Sequence, residues 1–98
     1  MHTHARKRAT ELTQKQLEQQ RRKNAGLWLR ELRERRGLSQ REVADAVGVE
    51  VYTVISQLEH GRGVIPQDRS PMFAEVLGIE PREFERRLNV LIMNPRPH

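Results

Sequence analysis

The 98-residue sequence contains no cysteine. Disulfide staples and thiolate–metal clusters are therefore excluded, the composition suits a reducing cytosol, and the fold must stand on packing alone. Aromatic residues are scarce, with one Trp, one Tyr and two Phe. Aliphatic side chains must build the core, enough for one domain of about five short helices and too little for a multidomain enzyme. No apolar run approaches the roughly 20 residues that span a bilayer, and the polar N-terminus lacks the apolar stretch of a secretion signal. A cytoplasmic protein without membrane contact is expected. Catalytic signatures are missing too. The four histidines, at 2, 4, 60 and 98, are scattered, and there is no metalloprotease helix motif, nucleophile elbow or phosphate-cradling glycine loop. His2 and His4 supply only two ligands, short of a designed metal site. The expectation is no enzyme, no cofactor and no metal.

Basic charge is abundant but unevenly placed. The formal net charge is +5; residues 1–36 hold eleven Lys/Arg against four Asp/Glu, and residues 37–98 hold seven against nine. A basic front half fits an arm and first helix lying along phosphates, with an acidic, partner-facing remainder. The plainer reading is a solvated charged face.

Three short apolar periodicities follow one another, separated by glycine-centred turns. Ala25, Leu29 and Leu32 share one face of a first helix, which Gly37 ends in the left-handed conformation that glycine adopts cheaply. Ser39-Gln40-Arg41-Glu42 has the form of a capping box and opens a second helix over Gln40 to Val47, with Val43, Ala44 and Val47 inward. After the reversal at Gly48, Val51, Ile55 and Leu58 recur at i, i+4 and i+7 and are expected to point inward. That leaves Tyr52, Thr53, Ser56 and Gln57 on the opposite surface. These are short or planar hydrogen-bonding groups rather than the Lys and Glu of an ordinary solvated face, and such groups can bond base edges.

These residues resemble the Cro and phage-repressor helix-turn-helix family, also called the XRE family. L-R-E-L-R-x-x-R-G-L-S-Q from Leu29, V-A-x-x-V-G-V from Val43 and I-S-Q-L-E-x-G from Ile55 match its pattern in order and spacing, and the resemblance extends from Ala25 to Phe84. One departure stands out: the segment between Gly48 and Ile55 is one residue longer than in many members, so the turn or the start of the third helix is longer. The resemblance implies an all-α, five-helix, lambda-repressor-like domain with an N-terminal basic extension. It also implies a regulator that reads double-stranded DNA through its third helix, with Tyr52, Thr53, Ser56 and Gln57 at base edges. Phosphate contacts fall to Arg33, Ser39, Gln40, Arg41 and Arg62, and Arg33 pairs with Glu59 to brace the first helix against the third. A helix this short reads few bases, so a homodimer on half-sites roughly 34 Å apart is expected.

The flanks divide the chain into an arm over 1–24, partly helical or disordered, the domain over 25–93 and a tail over 94–98. Residues 1–12 read as a disordered basic arm whose Arg6, Lys7 and Arg8 can enter a minor groove or stay solvated, and Asn24-Ala25-Gly26 reads as a break. Beyond Gly61, a loop leads to a fourth helix with Met72, Phe73, Val76 and Leu77 as its apolar face, starting near Gln67 or at Ser70. The fifth helix, after Pro81, carries Phe84, Leu88, Leu91 and Ile92. Leu88, Leu91 and Ile92 are candidates for a dimer contact or for packing on the first helix near Trp28. Two other functions stay open: a DNA-binding antitoxin with a toxin partner, and a protein-interaction module. The expected output is repression through a palindromic operator.

Overall fold

The computed structural model describes the backbone of residues 2–93 and the side chains of residues 13–92. Of the described residues 76% are helical, in five α-helices, and none is in a strand. They are α1 (His2–Arg35), α2 (Gln40–Val47), α3 (Thr53–Glu59), α4 (Ser70–Leu77) and α5 (Pro81–Met93), and a 3-10 turn over Gln67–Arg69 leads into α4. The fourth helix thus starts at Ser70 with Pro71 in its first turn, where the missing proline N–H costs no hydrogen bond. No described helix is long and apolar enough to cross a membrane, and no described group of three or more His, Asp or Glu side chains could hold a metal ion.

Four helix ends close by one device. Gly37, Gly48, Gly61 and Gly78 all have positive φ. The next residue donates its N–H to a carbonyl five positions back: Leu38 to Arg33, Val49 to Ala44, Arg62 to Gln57 and Ile79 to Ala74. This satisfies the orphan carbonyls of a helix C-terminus and brings the residue after glycine back over the last turn. In three cases that residue is apolar, and Leu38, Val49 and Ile79 pack against the core. At the end of α3 it is Arg62, which is exposed.

The core gathers Leu29 from α1, Val43, Ala44 and Val47 from α2, Ile55 and Leu58 from α3, Phe73, Ala74 and Leu77 from α4, Phe84 from α5 and Ile65 from the loop. Two inward assignments are corrected. Val51 is 53% exposed because it precedes α3 in the longer turn, so the buried stripe starts at Ile55. Met72 is exposed, and Ala74 takes its place inside. Trp28 stacks on Phe84 with ring centroids 5.4 Å apart, joining α1 to α5, and the Arg87 guanidinium lies over the Trp28 ring.

The largest correction concerns α1. It is helical from His2 to Arg35 with no interruption at Asn24-Ala25-Gly26, where a break was expected. Gly26 is present for another reason. A Cβ built on it would collide with the Glu59 carbonyl oxygen and lie 2.6 Å from the Leu58 carbonyl oxygen. A Cβ on Gly61 would lie 2.8 Å from the backbone of Arg22 and Lys23. The two glycines let α1 and the end of α3 touch backbone to backbone. The side chains of Arg6, Lys7 and Arg8, and the tail over 94–98, fall outside the described residues.

Candidate functional site

Helix α2 opens on a complete capping box. Ser39 Oγ accepts from the Glu42 N–H at 3.0 Å, and the Glu42 carboxylate accepts from the Ser39 N–H at 2.8 Å. The Ser39 hydroxyl and amide are thereby satisfied within the helix terminus. The backbone N–H groups of Gln40 and Arg41, in the first turn, remain for an anion. The Gln40 side chain turns the other way and donates to Glu59 Oε1 at 3.0 Å.

Glu59 is the centre of a polar cluster behind α3. Its side chain is 4% exposed and accepts three hydrogen bonds: from Arg33 Nε at 2.6 Å, Arg33 Nη2 at 3.0 Å and Gln40 Nε2. Arg33 Nη1 donates to the Leu38 carbonyl at 2.8 Å. The forked guanidinium thus ties α1, the turn after it and the end of α3 together, while Gln40 adds α2. Its hydrogen bond to Glu59 raises the pKa of Arg33 above the ordinary arginine value; burial opposes this, and the negative charges of Glu59 and Glu34 add to it. No described buried side-chain nitrogen or oxygen lacks a partner. Because all three guanidinium nitrogens of Arg33 are engaged and its side chain is only 12% exposed, its surroundings fit a brace, not the phosphate contact expected for it.

On the outer side of α3 the structure places Tyr52, Thr53 and Gln57 exposed and Ser56 half-buried. Tyr52 is the helical-backbone residue before α3, and the helix starts without a side-chain cap. The Arg41 guanidinium sits 5.1 Å from the Tyr52 ring centroid, joining the first turn of α2 to the start of α3. The longer turn therefore presents an aromatic ring and a cation together. His60 extends the same side of the helix, with its Nδ1 2.7 Å from the Ser56 carbonyl. Arg62, exposed just beyond Gly61, flanks the other end. The face is thus a ridge of uncharged hydrogen-bonding groups with one arginine at each end.

Three arginine roles were invisible in sequence. Arg69 Nη1 donates to the Val47 and Gly48 carbonyls at 2.7 and 2.8 Å, neutralising the C-terminus of α2. The Arg36 side chain lies over Gly78 at the end of α4, so close that a Cβ there would be 3.1 Å from its Cδ and Cζ. Arg41 covers Tyr52. Each joins elements distant in sequence, and the only sequence signal was a supply of cations next to helix ends. On α5, two edges separate. Leu88 and Ile92 border a cleft against α1, whereas Val90 and Leu91 lie beside Trp28, Arg86 and Arg87 on the other edge.

A family model described as helix-turn-helix matches residues 29–84, more than half of the chain. No curated protein and no solved structure matches it.

Proposed function

The chain belongs to the Cro/C1-type helix-turn-helix family of DNA-binding regulators, and from that premise we propose that it reads a palindromic operator as a homodimer and represses the adjoining promoter. One observation carries the reading: α3 exposes Tyr52, Thr53 and Gln57, while the buried Arg33–Glu59–Gln40 cluster fixes the helix from behind. A planar amide can bond adenine in two places and a threonine methyl can meet a thymine methyl, so these groups discriminate bases without net charge.

The rest of the face supplies register. The backbone N–H groups at the start of α2 and the cations of Arg41 and Arg62 suit phosphates, which position a protein without specifying sequence. Arg33 works one step behind, holding Glu59 and hence α3 at a fixed angle. The Gln57 side chain forms no hydrogen bond with another described residue, so both its amide groups are open to a base. The dimer contact is assigned to the edge of α5 carrying Leu91 and the exposed Val90. Leu88 and Ile92 face the cleft instead.

Selection of bound fragments from random duplex DNA tests the proposal. A two-fold symmetric motif with half-sites about one helical turn apart is expected, and recovery of unsymmetrical or unrelated sequences refutes it. Gln57→Ala should weaken the preferred site by about 1–3 kcal/mol and leave random DNA nearly unchanged. Equal losses on both would move Gln57 to the phosphate-contacting class.

A further inference from the structure

Behind the α3 face, on the far side of the Gly26 crossing, a cleft of about 330 Å3 opens between α1, the loop after α3 and α5. Its floor is apolar, formed by Leu29, Leu58, Ile65, Leu88 and Ile92. The size is at the lower end of small-molecule pockets, which combine an apolar body with a few converging polar groups. The polar groups are present here. Arg22 and Glu85 line the cleft from α1 and α5, both exposed, and neither has an ion-pair partner among the described residues. Asn89 and Gln67 add amides. Ser70, only 7% exposed, also lines the cleft from the start of α4.

One rim cation and one rim anion, each unpaired, set the charge of the occupant. A simple anion would meet Glu85, and a simple cation would meet Arg22; a ligand bearing both charges satisfies both. We propose that the cleft binds a small zwitterion with an apolar side chain, of the class of apolar α-amino acids, its carboxylate on Arg22, its ammonium on Glu85 and its side chain on the leucine floor. The site stands apart from base reading by α3.

The full chain, labelled with 15N, is titrated with L-leucine and L-phenylalanine, and with 3-phenylpropionate and phenethylamine as probes that each lack one charge. Saturable amide shifts at Gly26, Gly63, Ser70 and Asn89 are expected for at least one amino acid. Each single-charge probe should bind about tenfold more weakly or worse, as loss of a charge-assisted hydrogen bond requires. Because both rim side chains are exposed, Arg22→Gln and Glu85→Gln should leave the fold intact and cost the amino acid a similar factor; the double exchange Arg22→Glu with Glu85→Arg should restore binding. Absence of saturable shifts with both amino acids, or equal affinity for all probes, overturns the assignment. Shifts at these amides that follow protein concentration with no ligand added would give the cleft to a second copy and overturn it as well.

Discussion

Substituting Gly26 by alanine sets two physical effects against each other, and the structure decides which wins. Alanine is the better helix former by about 1 kcal/mol, so in an isolated or exposed α1 the substitution would stabilise. At the crossing with α3 the new methyl would collide with the Glu59 carbonyl and sit 2.6 Å from the Leu58 carbonyl oxygen, where ordinary contact begins at 3.4 Å. The helices must part by about 1 Å, and the obstacles are backbone atoms that cannot rotate away. Overpacking of this kind costs about 1–3 kcal/mol, with the upper end expected for rigid neighbours. After the helix-propensity gain, a net loss of about 1–2 kcal/mol remains, or a fall in Tm of about 5–15 °C for a domain of this size. Thermal unfolding followed by far-ultraviolet circular dichroism measures it, with Leu27→Ala on the exposed side of the same helix as the control expected to move little. An unchanged or raised Tm for Gly26→Ala would refute the crossing and leave Gly26 a passive residue in a free helix.

Glu59→Ala removes the acceptor of three buried hydrogen bonds and strands the Arg33 charge; a loss of about 3 kcal/mol in urea unfolding is expected, and a loss below about 1 kcal/mol would contradict the brace. Arg69→Met keeps the aliphatic stem but uncovers the Val47 and Gly48 carbonyls, so stability should fall by about 1–2 kcal/mol, with hydrogen exchange rising first at the end of α2; an unchanged exchange pattern would count against the cap. Glu83, paired with Arg86 at 2.6 Å, titrates below the ordinary carboxylate range because the Arg86 hydrogen bond favours its charged form. A folded pKa below the unfolded one means the contribution is present above the unfolded value and fades as pH falls through the folded value. Carboxyl NMR should show Arg86→Gln returning that midpoint toward the ordinary range, and a midpoint that stays put would remove Arg86 as its cause.

What was legible in the sequence is what local chemistry dictates. Ser39-x-x-Glu42 gave the start of α2, Gly37, Gly48 and Gly78 gave three helix ends, and the spacing of Val43, Ala44, Val47, Ile55 and Leu58 gave the inward faces, because each depends on residues within two turns. Arg33 and Glu59 lie 26 positions apart, and only the family resemblance brought them together. Val51 was misassigned because periodicity extrapolates a helix backward through a turn whose extra residue delays the first helical hydrogen bond. Gly26 misled for a related reason: within one helix glycine signals weakness, and its use as a gap for another backbone is a property of the pair.

The same distinction changes what the positive charge means. Eleven basic residues in the first 36 invite a reading of α1 as a phosphate-tracking surface. Yet within its last two turns Arg30 pairs with Glu34, Arg35 with Glu31 and Arg33 with Glu59, and Arg36 beyond it lies against Gly78. The exposed pairs contribute little to stability, but they neutralise the end of α1 that lies closest to the core domain. Cations flanking the α3 ridge come instead from Arg41 and Arg62, in the half of the chain whose net charge is slightly negative. On the proposed reading, sequence discrimination falls to hydrogen bonds at Gln57 and its neighbours, because phosphate contacts by Arg41, Arg62 and the α2 amides position a protein without specifying sequence.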